Sequence, residues 1–230
     1  MNNVFKKDLY RYYGEEGEPF LKKVFRPLEI KYISLYRKAN TCNFLPLKLF
    51  YMLRLMRLSN RTQIQIPART SIGEGFYIGH LGQVIINPDA KLGKNINIAT
   101  GVTIGMENRG KRKGAPEIGD NCWIGTNAVI VGNVKIGSDV LIAPLTYVNF
   151  DVPDHSIVIG NPGRIISKEN ATEKYLQSIA VCMIKLQSLL MSLNHLAAVF
   201  RLQNIRHTIW IWMTRGQVIM TVGHLICLNV

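Results

Sequence analysis

His80 is the residue of this chain best placed to do chemistry, because it sits where a six-residue rhythm slips. Aliphatic residues recur at Ile66, Ile72 and Ile78, then at Ile86, Leu92, Ile98 and Ile104. They recur again at Ile118, Ile124, Ile130, Ile136, Ile142 and Val148. From Ile78 to Ile86 the step is eight residues instead of six, and His80 lies in the slip. An imidazole changes charge nearest to neutral pH, so the chemistry it offers is proton transfer. A zinc centre would need three converging histidines. The repeat region offers only His80, with His155 at its closing turn. His155 reads as an exposed loop residue, and His195, His207 and His224 read as structural. Cys42, Cys122, Cys182 and Cys227 are far apart and lack metal-ligand spacing. They fit buried, reduced thiols in the cytoplasm, and no metal is expected.

The element that must position His80 follows from the period. One aliphatic position every six residues, often followed by Gly, is the signature of a parallel β-helix built from hexapeptides. Each unit supplies a short strand and a turn, with Gly expected where φ turns positive. A second inward row lies two positions earlier, at Phe76, Ala90, Ile96, Val102, Cys122, Ala128, Val134 and Val140. Residues 64–150 then give roughly four to five coils, enough to form an independent core. A β-sandwich would instead show period-2 alternation and wider turn spacing.

A second interruption separates Ile104 from Ile118 and is too polar for a coil interior. It predicts an extruded loop over 106–117, carrying Lys111, Arg112 and Lys113. Loops on a rigid scaffold are where function concentrates, and the two irregularities, about one and a half coils apart, are close enough that they could face the same cleft. The run of three cations reads either as a solvated loop or as a contact for an anionic ligand.

Net charge is +13, and its distribution divides the chain into three parts. Residues 1–62 hold 13 Lys/Arg against five Asp/Glu. They predict a basic, largely helical N-terminal flank. The coil, 63–168, is almost neutral. Residues 169–230 form an apolar tail, with a helix expected from Thr172 to about Leu202. Ile205–Val230 is open between helix, strand and poor order. The flank reads foremost as a cap over the open end of the coil. Its second reading is attraction to an anionic membrane surface or glycan. Nucleic-acid binding has no accompanying motif. No uncharged run reaches the roughly 18–20 residues of a membrane span, and Asp8 interrupts any signal-peptide core. The expected location is cytoplasmic, with the inner face of the membrane open.

Four segments carry a family resemblance: Ser71–His80 (SIGEGFYIGH), Val102–Gly105 (VTIG), Ile118–Ile130 (IGDNCWIGTNAVI) and Val152–Ile166 (VPDHSIVIGNPGRII). Together they resemble the hexapeptide-repeat acyltransferases, and most closely the serine acetyltransferases and polysaccharide O-acetyltransferases. The resemblance implies a mainly β fold, a left-handed parallel β-helix with α-helical N- and C-terminal flanks. It also implies a homotrimer with active sites between subunits and acetyl-CoA bound between coils. His80 falls on the general base that takes a proton from an acceptor hydroxyl, with no covalent enzyme intermediate. An oxyanion would need backbone N–H donors. Trp123 falls beside the pantetheine arm or packs a coil corner. Gly105, Gly125, Thr126 and Ala143 match positions whose backbones approach the cofactor. Arg164 and Lys168 match positions able to meet a CoA phosphate. Gly79, Lys111, Arg112 and Lys113 are the acceptor-side candidates.

Three departures bear on the acceptor. Gly79 stands where serine acetyltransferases carry Asp, and Gly114-Ala115 stand where they carry Arg-His. Gln65 replaces the acid that orients the imidazole. A site without those charges holds a zwitterion poorly. The sequence therefore favours O-acetylation of a bacterial surface polysaccharide, as in capsule or O-antigen, or of its nucleotide- or lipid-linked precursor. Peripheral association with membrane or lipid-linked glycan goes with that reading. A serine acetyltransferase with an altered acceptor site is the alternative, and a non-catalytic hexapeptide scaffold is a third reading.

Overall fold

Both inward rows of the six-residue rhythm are buried along their whole length, from Ile66 to Val148. The computed structural model describes residues 3–176, 208–214 and 217–223. The chain divides into two units, 1–180 and 181–230.

The first unit is a parallel β-helix with three faces. The first face stacks β1 (Ile64–Gln65), β4 (Val84–Ile86), β7 (Thr103–Gly105), β10 (Val129–Val131) and β13 (Tyr147–Val148). The second stacks β2 (Ser71–Ile72), β5 (Lys91–Leu92), β8 (Glu117–Ile118) and β11 (Lys135–Ile136). The third stacks β3 (Tyr77–Ile78), β6 (Asn97–Ile98), β9 (Trp123–Ile124), β12 (Val140–Ile142) and β14 (Ser156–Ile159). An antiparallel strand, β15 (Arg164–Ser167), closes the third face against β14.

The corners explain the glycines, and not in the expected way. Gly73, Gly93, Gly119 and Gly137 are outside the positive-φ set. They are needed because successive coils nearly touch there: a Cβ on Gly73 would lie 2.5 Å from the Gly93 oxygen, and one on Gly93 2.6 Å from the Gly119 oxygen. Positive φ falls two residues later, at Gly75, Asn95, Asn121, Asp139 and His155. Asn and Asp tolerate that conformation better than other side chains.

The N-terminal flank forms α1 (Asn3–Tyr13), a short 3-10 turn, α2 (Phe20–Val24), α3 (Leu28–Thr41) and α4 (Leu45–Thr62). Helices α1 and α3 cap the open first coil, whose backbone groups have no further coil to pair with. The Tyr32 hydroxyl accepts from the Ile66 N–H and donates to the Ile66 carbonyl. Tyr12 does the same at Ile78. Arg37 donates to the carbonyls of Ile72 and Gly73, at 2.6 and 2.5 Å. It also forms a buried pair with Asp8, Nε to Oδ2 at 2.8 Å, and Asp8 accepts the Phe76 N–H. Burial raises the Asp8 carboxyl, against the pull of Arg37. Helix α4 instead leaves Leu45, Leu49, Leu53 and Met56 exposed. Among the described residues no helix is long and apolar enough to cross a membrane.

In the tail, 171–176 form turns rather than the start of a helix, and most of the helix expected to Leu202 lies outside the described residues. In the second unit β16 (Thr208–Thr214) and β17 (Gln217–Gly223) pair as an antiparallel hairpin. Of the range Ile205–Val230, strand is thus the structure over 208–214 and 217–223, and the rest lies outside the described residues.

Two stability predictions follow from these contacts. Arg37→Met strands a buried carboxylate, which typically costs about 3–5 kcal/mol and should lower Tm by roughly 6–20 °C. A thermal melt shifted by less than about 2 °C would remove the ion pair from its structural role. Gly93→Ala forces a methyl group into the next coil and should cost about 1–3 kcal/mol. Gly79→Ala, whose Cβ meets nothing nearer than 3.5 Å, serves as the tolerated control in the same melts.

Candidate functional site

His80 lies just beyond β3, at the corner between the third and first faces, and its side chain is exposed. Four small residues stack at this corner in successive coils: Gly79, Ala99, Gly125 and Ala143. Each N–H donates to the coil above, to the carbonyls of Ile98, Ile124, Ile142 and Val158 respectively. The result is a narrow track along one edge of the prism. Gly125 has no room for a side chain, since a Cβ would lie 2.7 Å from the Pro144 nitrogen. The slip itself passes through Gly82, at φ +146°.

Beside the track is a cavity of about 300 Å³. His80, Gly79, Ala99, Trp123 and Thr126 line it from the coil. Its outer wall is the column Tyr77, Asn97 and Trp123, one position before the inward aliphatic row and in strand register. Arg11 enters from α1 and donates to Asn97 Oδ1 at 2.6 Å. Burial pulls its guanidinium down to about 10, still cationic at neutral pH. Tyr175 enters from the C-terminal side, its ring 5.0 Å from that of Trp123. The cavity therefore combines an imidazole, a cation and an aromatic pair.

Of the residues singled out from sequence, His80, Gly79, Trp123 and Thr126 meet in this cavity. Gly125 and Ala143 lie on the same corner. Gly105 does not: it ends β7 at the opposite edge of the first face. The loop carrying Lys111, Arg112 and Lys113 leaves from that opposite edge too. It folds back as a small antiparallel arm, with Glu107 and Gly114 exchanging hydrogen bonds at 2.9 Å. The Asn133 N–H ties the Arg112 carbonyl to the coil. The two irregularities thus do not share a cleft within one chain, because a whole face separates them. Arg164 and Lys168 are exposed on β15 and just after it, outside the cavity lining. Gln65 lines a different hollow, with Met52, Asn60 and Pro67. No hydrogen bond to the His80 ring is present among the described residues.

Sequence reasoning missed Arg11, Tyr77, Asn97 and Tyr175. Tyr77 was readable as an outward partner of Trp123 in the same phase of the repeat. Arg11 and Tyr175 carried no periodic signal, since they reach the site from the flanks. Among the described residues no group of three His, Cys, Asp or Glu side chains is placed to hold a metal ion. Burial pushes the Cys122 thiol up to about 12, and it donates to the Gly137 carbonyl.

Comparison with known proteins agrees with this architecture. Residues 115–149 match the family described as bacterial transferase hexapeptide (six repeats). The coil is of the hexapeptide-repeat type. A serine acetyltransferase of Bacillus pumilus is 35% identical over 121 residues, 52% of this chain and 56% of the relative. One from Arabidopsis thaliana is 32% identical over 160 residues, 65% of this chain and 45% of the relative. The chain thus spans about half the length of these relatives. Among solved structures, a serine O-acetyltransferase from Brucella melitensis superposes with a TM-score of 0.60 at 27% identity, covering 72% of this chain and 67% of that one. The Neisseria gonorrhoeae serine acetyltransferase gives 0.61 at 26% identity, covering 75% and 68%.

Proposed function

We propose that this hexapeptide-repeat protein is an acetyl-CoA-dependent O-acetyltransferase with His80 as its general base. The observation that carries the reading is the convergence of His80, Trp123 and Thr126 on one cavity beside the small-residue track. That track fits a thin, extended pantetheine arm, which bulkier corner residues would exclude. Acetyl-CoA supplies an activated acyl group as its thioester. His80 takes the proton from the acceptor hydroxyl as its oxygen bonds to the acyl carbon. His80 then returns that proton to the sulfur released when the carbon–sulfur bond breaks. The Gly79 N–H is already committed to Ile98, so the N–H groups of the slip after it are the local source of oxyanion donors. In a homotrimer, the arm at 106–117 of one copy would stand beside the His80 corner of the next.

Serine is the acceptor that the relatives favour. All four relatives named above are serine acetyltransferases, and they lend no support to the polysaccharide acceptor preferred from sequence. The serine reading, placed second there, moves first. One specific observation sustains a second reading, a hydroxyl acceptor without an ammonium group, such as a sugar. Gly79, Gln65 and Ala115 stand where the resemblance places charged groups, and the ionic side chain lining the cavity beside His80 is the Arg11 cation. A carboxylate could meet Arg11; an ammonium would meet no carboxylate in the cavity lining.

Release of free CoA from acetyl-CoA should be seen with L-serine if the first acceptor reading holds. Turnover with sugars but not serine would overturn it in favour of the second. Independently, His80→Ala should lower kcat by about 10²–10⁴-fold with the fold intact. An unchanged rate removes His80 from the mechanism.

A further inference from the structure

The segment Ala171–Leu176 crosses back over the coil and ends at the cavity. Asp139, in the left-handed corner conformation at φ +55°, pins its start. One carboxylate oxygen accepts the Thr172 N–H at 3.0 Å and the Thr172 hydroxyl at 2.6 Å. The other accepts the Ala171 N–H at 3.0 Å and faces His155 Nδ1 at 2.9 Å. Burial works against the Asp139 charge, but these bonds together hold its carboxyl below the ordinary range. Ala171 and Leu176 are both 5% exposed, so the strap is seated at each end. Between them the Tyr175 carbonyl accepts from Asn97 Nδ2 at 3.4 Å. The Tyr175 ring lies tilted against Trp123, yet the residue remains half exposed. One side of the Tyr175 ring is thus seated on Trp123 and the residue keeps an open face.

We infer that Tyr175 is a donor-positioning residue: with Trp123 it forms a two-ring wall against which the pantetheine arm of the thioester packs. The inference rests on the acetyl-transfer reading above and adds the residue that fixes its donor. The ring faces are apolar and border the small-residue track, so the wall's chemistry suits a chain of methylene and amide groups. The Asp139 carboxylate is the latch, because it holds the strap through Thr172 three residues before Tyr175. His155 helps to hold Asp139 and does not face the cavity.

The experiment is titration of CoA by calorimetry alongside steady-state kinetics, on the full-length protein. Tyr175→Ala should weaken CoA binding and raise KM for acetyl-CoA about tenfold, which corresponds to about 1.4 kcal/mol. Its kcat should stay within about twofold, since the residue holds ground state and transition state alike. Tyr175→Phe should retain wild-type values, because the ring and not the hydroxyl does the packing. Thr172→Val, which deletes the latch hydroxyl far from the donor, should shift binding in the same direction by a smaller factor. Equal CoA affinity in wild type and Tyr175→Ala overturns the inference while leaving acetyl transfer standing. If the wild type binds CoA and Tyr175→Ala weakens it, but no hydroxyl acceptor is acetylated, the wall survives and the proposed reaction fails. If the wild type binds no CoA, both fall.

Discussion

The buried pair of Asp8 and Arg37 is the constraint on which the working end of this molecule depends. A parallel coil begins with a turn whose backbone N–H and C=O groups have no partner beneath them. Exposed, such an edge invites pairing with another chain; buried, each orphaned group costs free energy. Here a guanidinium and a carboxylate take the place of a missing coil, spanning Ile72, Gly73 and Phe76. A buried ion pair brings little net stability by itself, because desolvation offsets attraction. Its value is geometric. On α1, Arg11 and Tyr12 follow Asp8 at the helical spacing that shares a face. Tyr12 then clamps Ile78, two residues before His80, and Arg11 enters the cavity. One capping pair thus fixes both the end of the strand that carries the imidazole and the cation opposite it.

The coil above the cap explains why the cavity is where it is. Three of its features leave no space: two buried rows inside, and a corner where Gly73, Gly93, Gly119 and Gly137 bring backbones into contact. Close-packed interiors of that kind do not open locally without loss of contacts. The slip at 79–83 supplies extra chain without disturbing the inward rows, because Ile78 and Ile86 remain buried on either side of it. An irregularity at a corner therefore exposes the His80 side chain at little cost to the core. The arm at 106–117 uses the same device at the opposite edge of the first face, between Ile104 and Ile118.

The inward rows were legible because burial acts on every coil alike, and a sixfold period repeats that demand thirteen times. His80 was legible for the complementary reason, as the histidine inside the break in the period. The glycines were read as positive-φ positions. Gly73, Gly93, Gly119, Gly125 and Gly137 are close-approach positions instead, and nothing in one sequence separates those two demands on a missing Cβ. Within one chain the two irregularities sit at different corners, because sequence distance along a helix of three faces does not say which corner a residue occupies. Arg11 and Tyr175 are 164 residues apart in the chain, and no pattern in the coil points to either. Side chains that reach a site from flanking segments have no period to betray them.

The surroundings of the His80 imidazole bear on the proposed transfer. In an imidazole paired to an acid, the partner fixes the ring's orientation and stabilises the cation formed in the transition state. Among the described residues no carboxylate lines the cavity with His80, and the ionic side chain in that lining is Arg11. The charged groups that the resemblance places on the coil are therefore absent from this lining. The charge it does contain arrives on α1, the helix that Asp8 and Arg37 hold in place.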